Sequence, residues 1–274
     1  MHIQVIGILA ILLYVSAAIV TGARLFATGE GVSDRRRLAL LLGWAALLTH
    51  AATLYGTLPT PSGMNLGFFN AASLAAAVTV FLLLLAAPLT PVENLGLILY
   101  PAAALSIALM FAYPVREIPP GSMNWKIDLH IVLSFAAYSL LALAALQALV
   151  LSWQDHQLRK RRFNRLVHRL PPLQTMERLL FQLLGAGFFL LSVALITGFV
   201  FLEDIFAQHL VHKTVLSLVA WLLLGLLLWG RWRFGWRGRK AVRLTLAVFL
   251  LLMLAYFGSK FVLELILHRT GNWT

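Results

Sequence analysis

The chain has 274 residues, 61% of them hydrophobic and only 12% charged, which excludes an ordinary soluble globular domain and indicates a polytopic membrane protein. Its 22 Lys and Arg outnumber 10 Asp and Glu, for a formal net charge of +12. With 0 cysteines, structural disulfides and thiol redox chemistry within the chain are excluded as well.

Crossing a hydrocarbon core of ~30 Å takes ~20 apolar residues in a helix. Eight stretches reach that length, about 3–26, 37–57, 67–87, 94–113, 129–153, 179–202, 214–230 and 243–267. Hydrocarbon offers no partner to a backbone N–H or C=O, so each stretch must be helical. The expected fold class is all-α, a bundle of eight transmembrane helices forming a single integral membrane domain over 1–274. No repeat, low-complexity segment or linker-like stretch divides it.

The first span follows MHIQ, which has no Lys or Arg, and precedes Arg24 and Arg35–Arg37, the reverse of a secretory signal. It is read as a retained helix with its N-terminus outside. From that start the loops expected inside hold four, zero, seven and six Lys or Arg. The opposite side holds five, namely Arg116, Lys126, Lys213, Lys260 and Arg269. This 17 to 5 asymmetry predicts an N-out, C-out, multi-pass protein of a bacterial inner membrane, with the lipid bilayer as its first partner.

The second span carries His50, the one titratable group near the middle of any span, read as a hydrogen-bonded core residue. No Asp or Glu lies mid-span, which speaks against a proton- or sodium-coupled transporter. Further on, Pro114, Pro119, Pro120 and Gly121 keep the loop Pro114–Asp128 out of helix, and Asp128 is the expected N-cap of the fifth span. His130, Ser134 and Tyr138 then recur at four-residue spacing, a polar stripe expected to face protein. The run RKRRFNRLVHR (Arg159–Arg169) reads as a topological anchor beside anionic headgroups, so the net charge calls for no nucleic acid. The other reading makes the basic loop Arg159–Arg178 a docking surface for a membrane or cytoplasmic protein. Trp229, Trp232 and Trp236, with their arginines, form an interfacial belt.

The last span carries Lys260, Glu264 and His268 on one stripe. His130, entering the fifth span, and His268, leaving the eighth, fall at one membrane depth on the expected outer side. Two imidazoles can ligate a haem iron axially, and the propionates then need cations, for which Lys126, Lys213, Lys260 and Arg269 are candidates. Glu264, one turn before His268, is placed to accept the proton of the ring nitrogen not bound to metal, and Trp125 to supply a flat apolar contact. Such haem would be non-covalent and b-type, since covalent attachment needs cysteines. The same residues admit a plainer reading, with the histidines as amphipathic anchors and Lys260 and Glu264 as an i,i+4 pair snorkelling to the headgroups. No nucleophile–base arrangement, carboxylate pair or zinc-type motif is found; His209 and His212 alone make a weak metal case. No enzyme is expected.

Several stretches resemble one family. MERLLFQLLGAGFFLLSVALITGFVF (Met176–Phe201), with Gly187 and Thr197–Gly198, is similar to the helix before the haem-handling loop in cytochrome c assembly proteins of the system II CcsA type. HKTVLSLVAWLLLGLLL (His212–Leu228) and GWRGRKAVRLTLAVFLLLMLAYFG (Gly235–Gly258) resemble its next two helices through Trp221, the GW.G.KA turn and the YFG signature. DLHIVLSFAAYSLLALAA (Asp128–Ala145) resembles the helix bearing the first outer haem histidine, and Leu267–His268 falls where the second belongs. The resemblance runs over roughly 125–271 and implies eight transmembrane helices with His130 and His268 as paired outer haem ligands.

It also departs from the pattern. The family's Trp- and Gly-rich loop between helices six and seven is replaced by LEDIFAQHLVHKT (Leu202–Thr214), Trp229 stands where an inner histidine belongs, and Gly63–Met64 meets the family's Gly-His, with His50 as the alternative to its histidine. The chain is thus similar to the shorter, divergent HemX-type and YpjD-type inner-membrane proteins. The resemblance implies binding or handling of haem at the outer, periplasmic face, or, as the alternative, a non-catalytic scaffold or regulatory subunit that has lost its ligand.

Because the chain lacks cysteine, single introduced thiols report topology cleanly. In spheroplasts, Ser122→Cys is expected to react with a membrane-impermeant maleimide and Asn164→Cys to react only after lysis; the opposite pattern would invert the orientation.

Overall fold

The computed structural model describes residues 2–26, 31–60, 63–114, 125–161, 169–201, 211–258 and 260–261. Among these, eight helices are long and apolar enough to cross a membrane, as the hydropathy of the sequence predicts. Their contacts gather into two compact units, Met1–Ile118 with Arg161–Pro171, and Pro119–Lys160 with Pro172–Thr274.

In the first unit, α1 (His2–Phe26) lies along α2 (Gly31–Thr57) and α4 (Gly96–Ala112), while α3 (Phe68–Ala86) lies along α4 and α2. Lipid is as apolar as leucine, so burial alone does not bring these helices together; small side chains that admit close approach do. Ala10, Ala17, Ala46, Ala71 and Ala103 are each 0% exposed. Between α2 and α3 the chain makes a minimal antiparallel pair, β1 (Pro59–Thr60) against β2 (Gly63–Met64). The Gly63–Met64 pair that stands in for the family's Gly-His is therefore strand, outside α3.

The second unit contains α5 (Trp125–Arg159), α6 (Leu173–Phe201), α7 (Val211–Phe234) and α8 (Arg239–Met253), the last running on as a π turn, Leu254–Gly258. Its most extensive contact is α5 on α6, and α8 touches both α5 and α7. The GW.G.KA turn between α7 and α8 uses its glycines for their backbone: Gly235 and Gly238 have φ of 64° and 59°, a region costly for any side chain with a Cβ. Trp236 folds back onto Gly230, leaving no room there for a side chain, and Lys240 Nζ sits 3.2 Å from its ring centroid. Arg231 completes this corner, donating from Nη1 to Glu177 Oε1 at 3.2 Å and lying 4.6 Å from the Phe181 centroid. Trp236 is thus structural, whereas Trp229 and Trp232 are 50% and 83% exposed, as interfacial belt residues should be.

Several helices outrun the apolar stretches that announce them. α5 has 35 residues, about 52 Å of helix, and extends past 129–153 at both ends. α2 starts at Gly31, ahead of Arg35–Arg37, because a helix has no reason to stop at the hydrocarbon edge while its backbone bonds remain available. Asp128 is accordingly no N-cap; it sits in the first turn of α5, where a carboxylate still favours the positive end of the helix dipole. Within the spans, Thr and Ser hydroxyls donate one turn back, as Thr21 Oγ1 to Ala17 O at 2.7 Å and Thr245 Oγ1 to Ala241 O at 2.9 Å.

A Cβ added at Gly187 on α6 would lie 2.7 Å from Leu141 Cδ2, whereas one at Gly185 would meet nothing within 4 Å. Gly187→Val is therefore expected to cost about 1–3 kcal/mol through overpacking of α5 on α6, read as a lowered unfolding midpoint in detergent, and Gly185→Val to leave it nearly unchanged.

Candidate functional site

The stripe expected on α5 faces protein. His130 is half-buried against α6, and each of its ring nitrogens has a hydroxyl partner: Nδ1 lies 3.2 Å from Thr197 Oγ1 and Nε2 lies 3.4 Å from Ser134 Oγ. Thr197 Oγ1 already spends its proton on Ala194 O at 2.9 Å, so towards the imidazole it can only accept. The Nδ1–H form of His130 follows, with the lone pair on Nε2. In this state one nitrogen is anchored by donation and the other, 3.4 Å from Ser134 Oγ, carries the lone pair, the arrangement common to metal-ligating histidines. Gly198, next to Thr197, lets the ring come this close: a Cβ there would stand 3.1 Å from His130 Cε1.

Around the histidine the second unit is rich in aromatic rings. Trp125 opens α5 with its side chain 68% exposed and its ring 6.1 Å from that of Phe201. Two turns further along α5 from His130, Tyr138 donates to Met253 Sδ at 2.8 Å and lies within 5.6 Å of the Phe249 and Phe257 rings. Phe135 meets Tyr256 edge-on at 5.7 Å, and Lys260 Nζ stands 5.5 Å from the Tyr256 centroid. Trp221 donates from Nε1 to Ser192 Oγ at 2.8 Å and stacks on Phe188, fixing α7 to α6.

Of the residues singled out from sequence, the structure thus places His130 and Trp125 on α5 beside α6, and Lys260 beyond the π turn of α8. Glu264 and His268 lie outside the described residues, as do Arg269 and His209. His212 is exposed on the first turn of α7. Among the described residues no group of three or more His, Cys, Asp or Glu could hold a metal ion; a haem site, with two imidazoles, needs no such group. Thr197 as the partner of His130 was not readable from spacing, since the contact joins α5 to α6; only the Thr-Gly pair marked the place.

His50 occupies the first unit, 0% exposed, with Nε2 2.9 Å from Ser73 Oγ and Nδ1 3.3 Å from Tyr14 Oη. Tyr14 stacks in turn on Tyr100 at 6.0 Å. Both ring nitrogens meet neutral hydroxyls, which fits the expected core histidine tying α1, α2 and α3 together.

Residues 38–267 match the family described as cytochrome C assembly protein. The chain belongs to that family. The match takes in most of the first unit, beyond the 125–271 on which the resemblance was drawn. Among relatives of this cytochrome c assembly chain, inner membrane protein YpjD of Escherichia coli K12 is 36% identical over 235 residues, covering 84% of this chain and 88% of YpjD. A protein of Azospirillum brasilense, described as an uncharacterized 28.8 kDa protein in the nifR3-like 5' region, is 39% identical over 156 residues, 56% of this chain and 58% of its own length. Cytochrome c biogenesis protein CcsA of Gloeobacter violaceus is 28% identical over 93 residues, 33% of this chain and 28% of that protein. No solved structure matches the chain. With eight helices among the described residues long and apolar enough to span, and a likeness to an inner membrane protein over most of the chain, this member of the family is a multi-pass protein of the inner membrane.

Thr197→Val removes the acceptor that fixes the His130 ring. It is expected to lower stability by about 0.5–1.5 kcal/mol and, in ring-nitrogen NMR of histidine-labelled protein, to abolish the preference for Nδ1–H; Thr197→Ser should restore both.

Proposed function

We propose that this cytochrome c assembly-family protein binds b-type haem non-covalently at the face assigned as outer by its charge asymmetry, and that it holds or passes the haem without bond-making chemistry of its own. One observation carries the reading: Thr197 Oγ1, its proton directed to Ala194 O, lies 3.2 Å from Nδ1 of a half-buried histidine at the end of a span, which would leave Nε2 to act as a ligand. His130 would supply one axial imidazole and His268 the other, with Glu264 steadying His268 and Lys260 paired with a propionate. Trp125 would cover an edge of the macrocycle. Haem, when bound, supplies the iron and its redox chemistry; the chain's residues bind it, orient it and exclude water from it.

The fit rests on the donor set. Around His130 the polar neighbours Ser134 and Thr197 are neutral hydroxyls, and the rings of Phe135, Tyr138, Tyr256 and Phe257, which pack on one another, make the same unit an aromatic environment compatible with a flat apolar ligand. The absence of tryptophan from Leu202–Thr214 argues for a site simpler than that of the CcsA-type proteins.

Haem titration of purified protein, read by absorption, tests the reading. Wild type is expected to give a bis-imidazole spectrum, each of His130→Ala and His268→Ala to weaken binding at least about tenfold, and the double variant to abolish the spectrum. A wild type that stays colourless after haem addition would leave the bundle as a scaffold, with the basic loop Arg159–Arg178 as its docking surface.

A further inference from the structure

At the end of the first unit opposite β1 and β2, three elements that are remote in sequence converge on one carboxylate. Glu93 comes from the 3-10 turn Glu93–Leu95 that leads into α4, Arg24 from the last turn of α1 and Arg36 from the second turn of α2. Glu93 Oε1 accepts from Arg24 Nη2 at 3.2 Å and from Arg36 Nε at 3.0 Å. Arg24 is held further by Asn94 Oδ1 at 3.3 Å. The Glu93 and Arg24 side chains are 11% and 14% exposed, so this is an anchored cluster and not a loose surface pair.

Arg36 differs from Arg24. Besides Glu93 it donates from Nη2 to Ala87 O at 2.9 Å, so its guanidinium plane is fixed at two points, yet the side chain remains 41% exposed. It borders an open cleft of about 270 Å³ whose other walls include Pro88, Leu89, Thr90 and Pro91. The two prolines have no N–H and the Thr90 hydroxyl is spent on Ala86 O at 2.9 Å, so the Arg36 guanidinium is the charged donor of this cleft. Two guanidinium groups against one carboxylate leave a unit positive charge. Leu89 on the rim is 86% exposed, a bare apolar surface beside the cleft.

We propose that this cleft is a site for one acidic phospholipid, whose phosphate pairs with Arg36 and whose acyl chain runs down past Leu89. A fixed planar fork beside an uncompensated charge suits a phosphate oxygen pair. The apolar wall suits a ligand that brings its own hydrocarbon. Free phosphate would need donors on several sides, which two prolines and a leucine do not give. Glu93 is the positioning residue: it touches no lipid and sets the plane of Arg36. Such a lipid would brace the junction of α1, α2 and the α3–α4 connection, and the inference is independent of the haem reading.

Native mass spectrometry of the delipidated full chain, titrated with phosphatidylglycerol or phosphatidylethanolamine, tests it. Wild type is expected to keep one phosphatidylglycerol with at least about threefold preference over phosphatidylethanolamine. Arg36→Ala should lose that adduct, Glu93→Gln should weaken it, and Arg178→Ala, an exposed arginine in the second turn of α6, should retain it. Equal retention of the two lipids by wild type, equal losses in Arg36→Ala and Arg178→Ala, or displacement of the lipid by excess inorganic phosphate would each overturn the assignment. The comparison of lipids on wild type needs no variant, so it decides the matter even if Arg36→Ala fails to fold.

Discussion

In hydrocarbon there is no water to complete a hydrogen bond, and every polar group carried into it must find its partner within the protein. The backbone meets this requirement by being helical, and the side chains meet it in two ways. Most Thr and Ser hydroxyls return their proton to a carbonyl one turn back, which makes them nearly apolar from outside. The imidazoles cannot do this, having two nitrogens on opposite sides of a ring. Each takes at least one partner from a neighbouring helix and so fixes a helix junction: His50 through Tyr14 and Ser73, His130 through Thr197. The two differ in shelter: His50 is 0% exposed with both partners on other helices, whereas His130 is half-buried and its second nitrogen meets Ser134 of its own helix at 3.4 Å. The same constraint thus yields a fully buried histidine in one unit and a half-buried one in the other.

The helix ends face a different solvent, and charge organises them. Glu93 gathers Arg24 and Arg36, and Glu177 receives Arg231, so the sparse carboxylates sit where the arginines need direction. Isolated surface ion pairs contribute little, but pairs this sheltered hold geometry, because a carboxylate withdrawn from water must keep its cations. The Trp236 corner does the same work with an aromatic ring, using Gly235 and Gly238 to turn the chain sharply enough for Lys240 to reach it.

The number and order of spans were legible in the sequence because hydrophobic length is a direct reading of membrane thickness. Their ends were less so: α5 continues through Asp155 and Arg159, whose mutual contact at 2.8 Å supports the helix past its last apolar turn. The polar stripe His130, Ser134, Tyr138 and its orientation towards protein were readable from a four-residue period alone. Its partners were not, since Thr197 and Met253 are 67 and 115 residues distant in sequence and no local pattern encodes which helix will lie alongside. For the same reason His50 was readable as a core residue while Tyr14 and Ser73 were not. The family resemblance supplied positions, Thr197–Gly198 among them, and the structure supplied the reason: a hydroxyl that must accept, and a missing Cβ that admits a ring.

The π turn at Leu254–Gly258 bears on how the tail of α8 is aligned. Such a turn takes up one residue more than an α-helical turn, so the faces beyond it are rotated by about 100° from a wheel drawn at 3.6 residues per turn. A stripe projected from Val248 or Leu252 does not, then, continue straight to Lys260. The aromatic Tyr256 and Phe257 sit at the phase change, and any insertion or deletion in this short segment would swing Lys260 to a new bearing while leaving the buried face of α8 as it was.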